Sequence, residues 1–206
     1  MKKVCIVQAR MGSTRLPGKV IADLEGKPVI RHVLERCMKI PGIDKVICAI
    51  PDSECSNPLL EEINIGPWIV EFGNPTDLLH RYYWTAYKHS ADIVMRVTGD
   101  CPLINPGVCG QALELLLLSG LDYASNVNPR GWPQGFDCEV FTYLALYNAY
   151  LKATDPYDRE HVGPWMQRNL KTANLPGPGR QDERLVIDTA EDLENIRTLL
   201  RNGYHE

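Results

Sequence analysis

No C-x-x-C pair occurs in the 206 residues, and no cysteines and histidines stand together at zinc-ligand spacing. That excludes zinc ribbons and dithiol redox motifs. The seven cysteines, at 5, 37, 48, 55, 101, 109 and 138, are odd in number and several sit inside apolar runs. They read as buried free thiols of a reducing, cytoplasmic compartment. A bilayer-spanning run is also missing, since the richest apolar stretch, Leu113 to Leu118, is short and interrupted by Glu114. Behind Lys2 and Lys3, the run Val4 to Val7 is too short for a signal-peptide core. No membrane partner is expected. Excess positive charge is absent as well: 22 Lys and Arg face 26 Asp and Glu, for a formal net charge of -4. A general polyanion-binding surface, and with it a nucleic-acid partner, is therefore not expected. Long like-charge blocks, internal repeats and low-complexity linkers are lacking too. At 44% hydrophobic residues the chain has material for one sizeable core, and residues 1–206 are expected to form a single domain.

What is present alternates between strand and helix. Val4 to Ala9 reads as a strand, with a helix beginning near Pro28, a residue suited to a first helical turn. Lys45 to Ile50 and Trp68 to Phe72 read as strands, and Asn74-Pro75 as the cap of a helix reaching about His89. A strand over Ile93 to Thr98 precedes a helix from Pro106 to Ser119. The second half is less regular: strands at 122–126 and 136–142, helices at 143–153 and 158–169, a turn-rich stretch at 176–179, and a strand at Leu185 to Ile187. Thr189 to Asp192 then resembles a capping box opening a last helix that ends before Gly203. Near-continuous apolar strands alternating with helices predict an α/β fold, a mostly parallel sheet covered on both faces. In such sheets ligands sit beyond the strand C-termini. Three segments with chemistry stand there: the loop after Ala9, the loop after Thr98, and Asp188.

The first of these runs from Gln8 to Lys19 as Q-A-R-M-G-S-T-R-L-P-G-K. Small residues let backbone N–H groups approach an anion, and Arg10, Arg15 and Lys19 can neutralise phosphate oxygens. It is not a P-loop, because Gly12 and Gly18 have five residues between them rather than four and Val20 follows Lys19. A plain surface turn with solvated charges is the competing reading. Asp100 and Asp188 each follow an apolar strand and can hold a hard cation such as Mg2+ through oxygen, although a lone Asp there is more often a turn former or cap. Together with the cationic loop they form the set needed for a metal-nucleoside triphosphate. On the other side, Asp137 and Glu139 alternate on one face of an expected strand, and Glu160-His161 fall at an expected helix start. These four either line an acceptor pocket, away from the phosphate loop, or are a solvated edge and a surface histidine. Trp132 is equally open, as a lid or as a packed aromatic.

The loop Q-A-R-M-G-S-T-R-L-P-G-K, the segment Gly73 to Arg81, R-V-T-G-D-C-P-L-I around Asp100, G-F-D-C-E over 135–139, R-E-H-V over 159–162 and V-I-D-T-A-E-D-L around Asp188 resemble the SpsF-type cytidylyltransferases. Those are relatives of acylneuraminate and 3-deoxy-manno-octulosonate cytidylyltransferases, associated with bacterial surface polysaccharides. The resemblance runs through almost the whole chain, departing at about 170–184, which is contracted here. It implies a nucleotide-diphospho-sugar transferase fold, Rossmann-like and mixed, with helices on both faces. It also implies transfer of CMP from CTP to an acidic sugar or a phosphorylated small molecule, with release of pyrophosphate. By similarity, CTP would contact Ala9, Arg10, Gly12, Ser13, Arg15, Lys19 and Gly99, with Arg10, Lys19, Asp100 and Asp188 as the catalytic set. Asp100 and Asp188 would hold Mg2+, and Asp137, Glu139, Glu160 and His161 would face the acceptor. A homodimer stays open. Two other readings compete. A glycosyltransferase on the same fold would commonly carry Asp-x-Asp, where this chain has the single Asp100. A non-catalytic nucleotide-binding subunit would be expected to have lost residues that are all present.

Overall fold

The computed structural model describes residues 1–54 and 57–204, so Cys55 lies outside the described residues. In chain order the elements are β1 (Lys3–Gln8), β2 (Asp23–Leu24), β3 (Lys27–Pro28), α1 (Val29–Cys37), β4 (Lys45–Pro51), α2 (Pro58–Ile63), β5 (Ile69–Gly73), α3 (Leu78–Lys88), β6 (Ile93–Thr98), α4 (Pro106–Ser119), β7 (Tyr123–Ser125), β8 (Glu139–Thr142), α5 (Tyr143–Lys152), α6 (Pro156–His161), α7 (Gly163–Asn169), β9 (Thr172–Asn174) and α8 (Ala190–Arg201). Seven strands form one sheet in the order β5-β4-β1-β6-β8-β7-β9, and β2 pairs with β3 in a separate hairpin. β8 alone runs against the others, pairing antiparallel with both β6 and β7. The chain leaves β1 toward β4 on one side and later returns to pair β6 on the other. The strand order therefore reverses between β1 and β6, where an open α/β sheet forms its binding crevice.

Alternation along β1 divides the core. Cys5 and Val7 enter an apolar cluster with α1, α2 and α4, whereas Val4 and Ile6 enter one with α3, α5, Val162 and Met166. A third cluster joins Leu24, Leu103, Phe136 and Ile187 to Leu193 and Ile196 of α8. Cysteines 5, 37, 48, 101, 109 and 138 are buried free thiols, as their apolar settings predicted; burial pushes the Cys48 thiol up to about 12. Among the described residues, no helix is long and apolar enough to cross a membrane.

Several sequence expectations shift for identifiable reasons. α3 begins at Leu78 rather than beside Pro75, because Asn74 Oδ1 accepts from the N–H groups of Thr76 and Asp77 and makes a turn of its own. Asp77 then caps the helix by accepting from His80 N at 2.9 Å. The helix expected over 158–169 is two, α6 and α7, broken at Val162, which is held at φ +67°. Pro164 has no N–H to return to the Glu160 carbonyl. The expected strand 136–142 shortens to β8 because the Asn126 side chain replaces the ladder, donating to Phe136 O and accepting from Cys138 N. Leu185 to Ile187 is extended but joins no sheet strand; it bonds instead to Gln134 O and Asp100 O. Thr172–Asn174 forms β9, a seventh sheet strand that the sequence reading did not expect. The capping box at Thr189 and Asp192 forms as expected.

Candidate active site

A cavity of about 390 Å³ opens at the β1/β6 strand ends. Its floor depends on a close approach: Gly99 N donates to Gln8 O at 2.8 Å. A Cβ at Gly99 would stand 2.8 Å from that same oxygen and 3.0 Å from Ile30 Cδ1, so only glycine lets the two strand ends meet. The loop from Ala9 to Lys19 folds back on itself, with Gly18 N donating to Met11 O at 3.2 Å and Gly18 at φ +70°. Glu54 anchors it by accepting from Met11 N at 2.8 Å. Gly18 thereby directs Lys19 inward.

Lys19 Nζ lies 2.7 Å from Asp100 Oδ2 and 2.9 Å from Asp188 Oδ1, and it also donates to Ile187 O at 2.8 Å. Its side chain is only 11% exposed. Burial works against the ammonium, yet Asp100 and then Asp188 outweigh it and hold the lysine above its ordinary pKa. Asp188 likewise stays below the usual carboxylate range: desolvation would raise it, but hydrogen bonds from Lys19 and Arg184 dominate. Arg15 and Arg184 also reach Asp188, each at 2.8 Å. Thr98 Oγ1 donates to Asp100 Oδ1 at 2.6 Å and fixes that carboxylate's rotation. Arg10 is exposed at the mouth and has no carboxylate partner among the described residues.

All of the predicted nucleotide-side residues line this one cavity: Ala9, Arg10, Gly12, Ser13, Arg15, Lys19, Gly99, Asp100 and Asp188. Of the four predicted acceptor residues, Glu160 and His161 line it too, so they are not set apart from the phosphate loop as the sequence reading placed them. They close α6 rather than start a helix, and the break at Val162 turns them toward the strand ends. Asp137 and Glu139 are not among the lining residues. Asp137 lies outside β8, with Arg130 Nη2 donating to its Oδ2 at 2.7 Å. Glu139 is buried, bonded to the Arg96 guanidinium and accepting from Tyr123 OH at 2.5 Å. The expectation of both on one face of a strand fails because the Asn126 side chain, not a strand, organises 136–138. Trp132 packs against the α8-side cluster with its indole N–H toward Leu175 O at 3.3 Å, as a packed aromatic.

The sequence reading missed Gln8, Thr98 and Arg81 among the lining residues. Arg81 is buried and bonds the carbonyls of Asn74 and Pro75, holding the 74–76 wall. Its place in the quoted Gly73 to Arg81 motif was the available signal.

This strand order, with a cationic loop and paired carboxylates at the switch point, defines a nucleotidyltransferase of the nucleotide-diphospho-sugar transferase fold. The chain belongs to the cytidylyltransferase family, whose model matches residues 4–205, and is a CTP-dependent nucleotidyltransferase. It is 34% identical to the 3-deoxy-manno-octulosonate cytidylyltransferase of Escherichia coli, covering 96% of this chain and 83% of that protein. It is 28% identical to the spore coat polysaccharide biosynthesis protein SpsF of Bacillus subtilis, covering 96% and 86% respectively. A solved cytidylyltransferase from Leptospira borgpetersenii superposes with a TM-score of 0.93 at 30% identity, over 98% of this chain and 87% of that one. The glycosyltransferase and non-catalytic readings fall with this membership.

Proposed function

We propose that the enzyme transfers CMP from CTP to an acidic sugar or a phosphorylated small molecule, in a Mg2+-dependent reaction of cytoplasmic surface-polysaccharide synthesis. The whole chain acts as one domain. The observation that carries this reading is the convergence of Asp100 and Asp188 on one cationic centre, Lys19 Nζ, at 2.7 and 2.9 Å. Two carboxylates, one just beyond the end of β6 and one on the segment that follows Ile187, suit a hard cation that keeps waters and adds substrate phosphates. Among the described residues no cluster of three or more His, Cys, Asp or Glu offers a fuller cage. Asp100 and Asp188 would hold Mg2+, which when bound supplies charge neutralisation at the phosphates.

The residues of the chain do the rest. The oxygen of the acceptor forms a bond to the α-phosphorus of CTP, and the bond from that phosphorus to the bridging oxygen breaks, with pyrophosphate leaving along the opposite direction. Negative charge grows on the leaving group, so Arg10 and Lys19 act by position and charge rather than as nucleophiles. A phosphate acceptor needs no base from the protein, and a sugar hydroxyl gives up its proton to solvent as its oxygen bonds to phosphorus. Glu160 and His161, on the same cavity, orient the acceptor. The buried free thiols support the reducing compartment.

The test crosses CTP, UTP, ATP and GTP with 2-keto sugar acids, nonulosonic acids and phosphorylated small molecules, reading pyrophosphate release with Mg2+ and with chelator. Turnover with CTP and an acidic acceptor, abolished by chelator, is expected. Turnover only with neutral acceptors, or undiminished by chelation, refutes the reading.

A further inference from the structure

Gln8 ends β1 and faces the cavity, yet its amide carbonyl points away from it. Arg96 Nε donates to Gln8 Oε1 at 3.1 Å, and Tyr82 OH lies 3.2 Å from the same oxygen. Tyr82 divides its single proton among Gln8 Oε1 and the carbonyls of Ile6 and Val97. Arg96 is therefore the partner that orients the amide. A guanidinium only donates, so the amide cannot be flipped without placing N–H against N–H. Arg96 is itself fixed by Glu139, which accepts from Tyr123 OH, and Tyr123 OH accepts from Gln167 Nε2 of α7 at 2.7 Å. Burial pushes the Tyr82 and Tyr123 phenols up, so both stay protonated. The Gln8 amide is thus locked at one end. At the other, no atom among the described residues accepts from Gln8 Nε2.

We infer that Gln8 is a specificity residue, whose Nε2 donates to an oxygen lone pair of the acceptor, a carboxylate, keto or phosphate oxygen. The nucleotide is not the favoured partner, because of how the sheet divides. Ala9 and Val20 of the phosphate loop pack on the α1 side, whereas Gln8 shares its face with Ile6, Tyr82 and Arg96. The Arg96–Glu139 pair lies under the α6–α7 junction, where a Cβ at Gly163 would come within 1.8 Å of Glu139 Oε1. Gln8 is consequently tied to the element that carries Glu160 and His161. A donor backed by a guanidinium discriminates strongly, since it rejects any ligand lacking the matching oxygen.

This inference rests on the oxyanionic-acceptor reading above, and the experiment separates the two. Gln8→Glu keeps an inward oxygen for Arg96 and Tyr82 while replacing the outward N–H2 by a carboxylate oxygen. The wild type is first assayed with CTP and 3-deoxy-manno-octulosonate, N-acetylneuraminate or glycerol 3-phosphate. For whichever is turned over, Gln8→Glu is expected to raise the acceptor KM about tenfold to a hundredfold, with the CTP dissociation constant unchanged within twofold by calorimetry. Gln8→Asn, too short to hold both ends, is expected to raise KM less than Gln8→Glu. An unchanged acceptor KM in Gln8→Glu overturns the inference in favour of a structural role for Gln8. A tenfold loss of CTP affinity overturns it in favour of nucleotide reading. Absence of wild-type turnover with all three probes removes the acceptor reading and the inference with it.

Discussion

At Lys19 a single ammonium answers two carboxylates that reach it from 81 and 169 positions further along the sequence, and each of the three depends on the other two. Asp100→Asn or Asp188→Asn leaves the fold standing, since the Thr98 hydroxyl can still donate to an amide oxygen at 100, and the single amide oxygen at 188 can still accept from one of the two arginines, Arg15 or Arg184, that now share the carboxylate. The loss of one carboxylate from a two-carboxylate cation site removes several kcal/mol of transition-state stabilisation, hence at least about a hundredfold in turnover. Stopped pyrophosphate assays beside circular dichroism check this; near-normal turnover in either variant disproves the metal assignment. Lys19→Ala is expected to lower kcat more than CTP affinity, because charge on the departing pyrophosphate peaks in the transition state. An affinity loss with unchanged kcat makes Lys19 a binding residue only. These three residues were legible in the sequence because Asp100 and Asp188 each follow a short apolar run and Lys19 closes a loop rich in small residues and cations. Gln8 was not, for its meaning lies in Arg96 and Tyr82, which no local pattern connects to it.

The α6–α7 junction shows the same dependence among elements. Gly163 sits against the Glu139 carboxylate with no room for a Cβ, and Glu139 is the buried partner of Arg96. Gly163→Ala must shift Glu139 Oε1, the oxygen that accepts from Tyr123 OH, at about 1–3 kcal/mol for a disturbed buried hydrogen bond to a charged group. Urea denaturation measures the cost, and a loss below about 1 kcal/mol contradicts the packing described here. The elements best read from sequence were those with local punctuation: the apolar runs of β1, β4 and β6, the Asn105-Pro106 start of α4, and the Thr189 capping box of α8. Those misread were decided by distant partners. Asn126 interrupts the strand before Glu139 from ten residues away, β9 is three residues long and defined by β7, and Leu185 to Ile187 bonds to loops. For the site, the nucleotide-side residues were found together, whereas on the acceptor side Asp137 and Glu139 fall outside the cavity because the Asn126 side chain organises 136–138.

Across the whole molecule the sheet supplies the floor, α6 and the 74–76 wall one side, and the 185–188 segment the other, so ligand binding engages all three apolar clusters. CTP with Mg2+ at a hundredfold excess over its dissociation constant should stabilise the protein by about 2.7 kcal/mol. For a chain of this length that is roughly 5–11 °C in Tm. Scanning calorimetry checks it, and the shift should fall sharply with chelator and in Asp188→Asn. An equal shift without the divalent ion refutes the proposed role of the carboxylate pair. The bond from Ile187 N to Asp100 O has a further consequence for biogenesis. Lys19 and Asp188 are separated by 169 residues, and the later one arrives on a segment with no place in the sheet. A ribosome therefore releases the phosphate loop and most of the sheet long before the second carboxylate emerges. No nascent fragment ending short of Asp188 holds the complete triad, so the phosphate loop and the carboxylate that follows β6 wait, already made, for a partner synthesised 169 positions after Lys19.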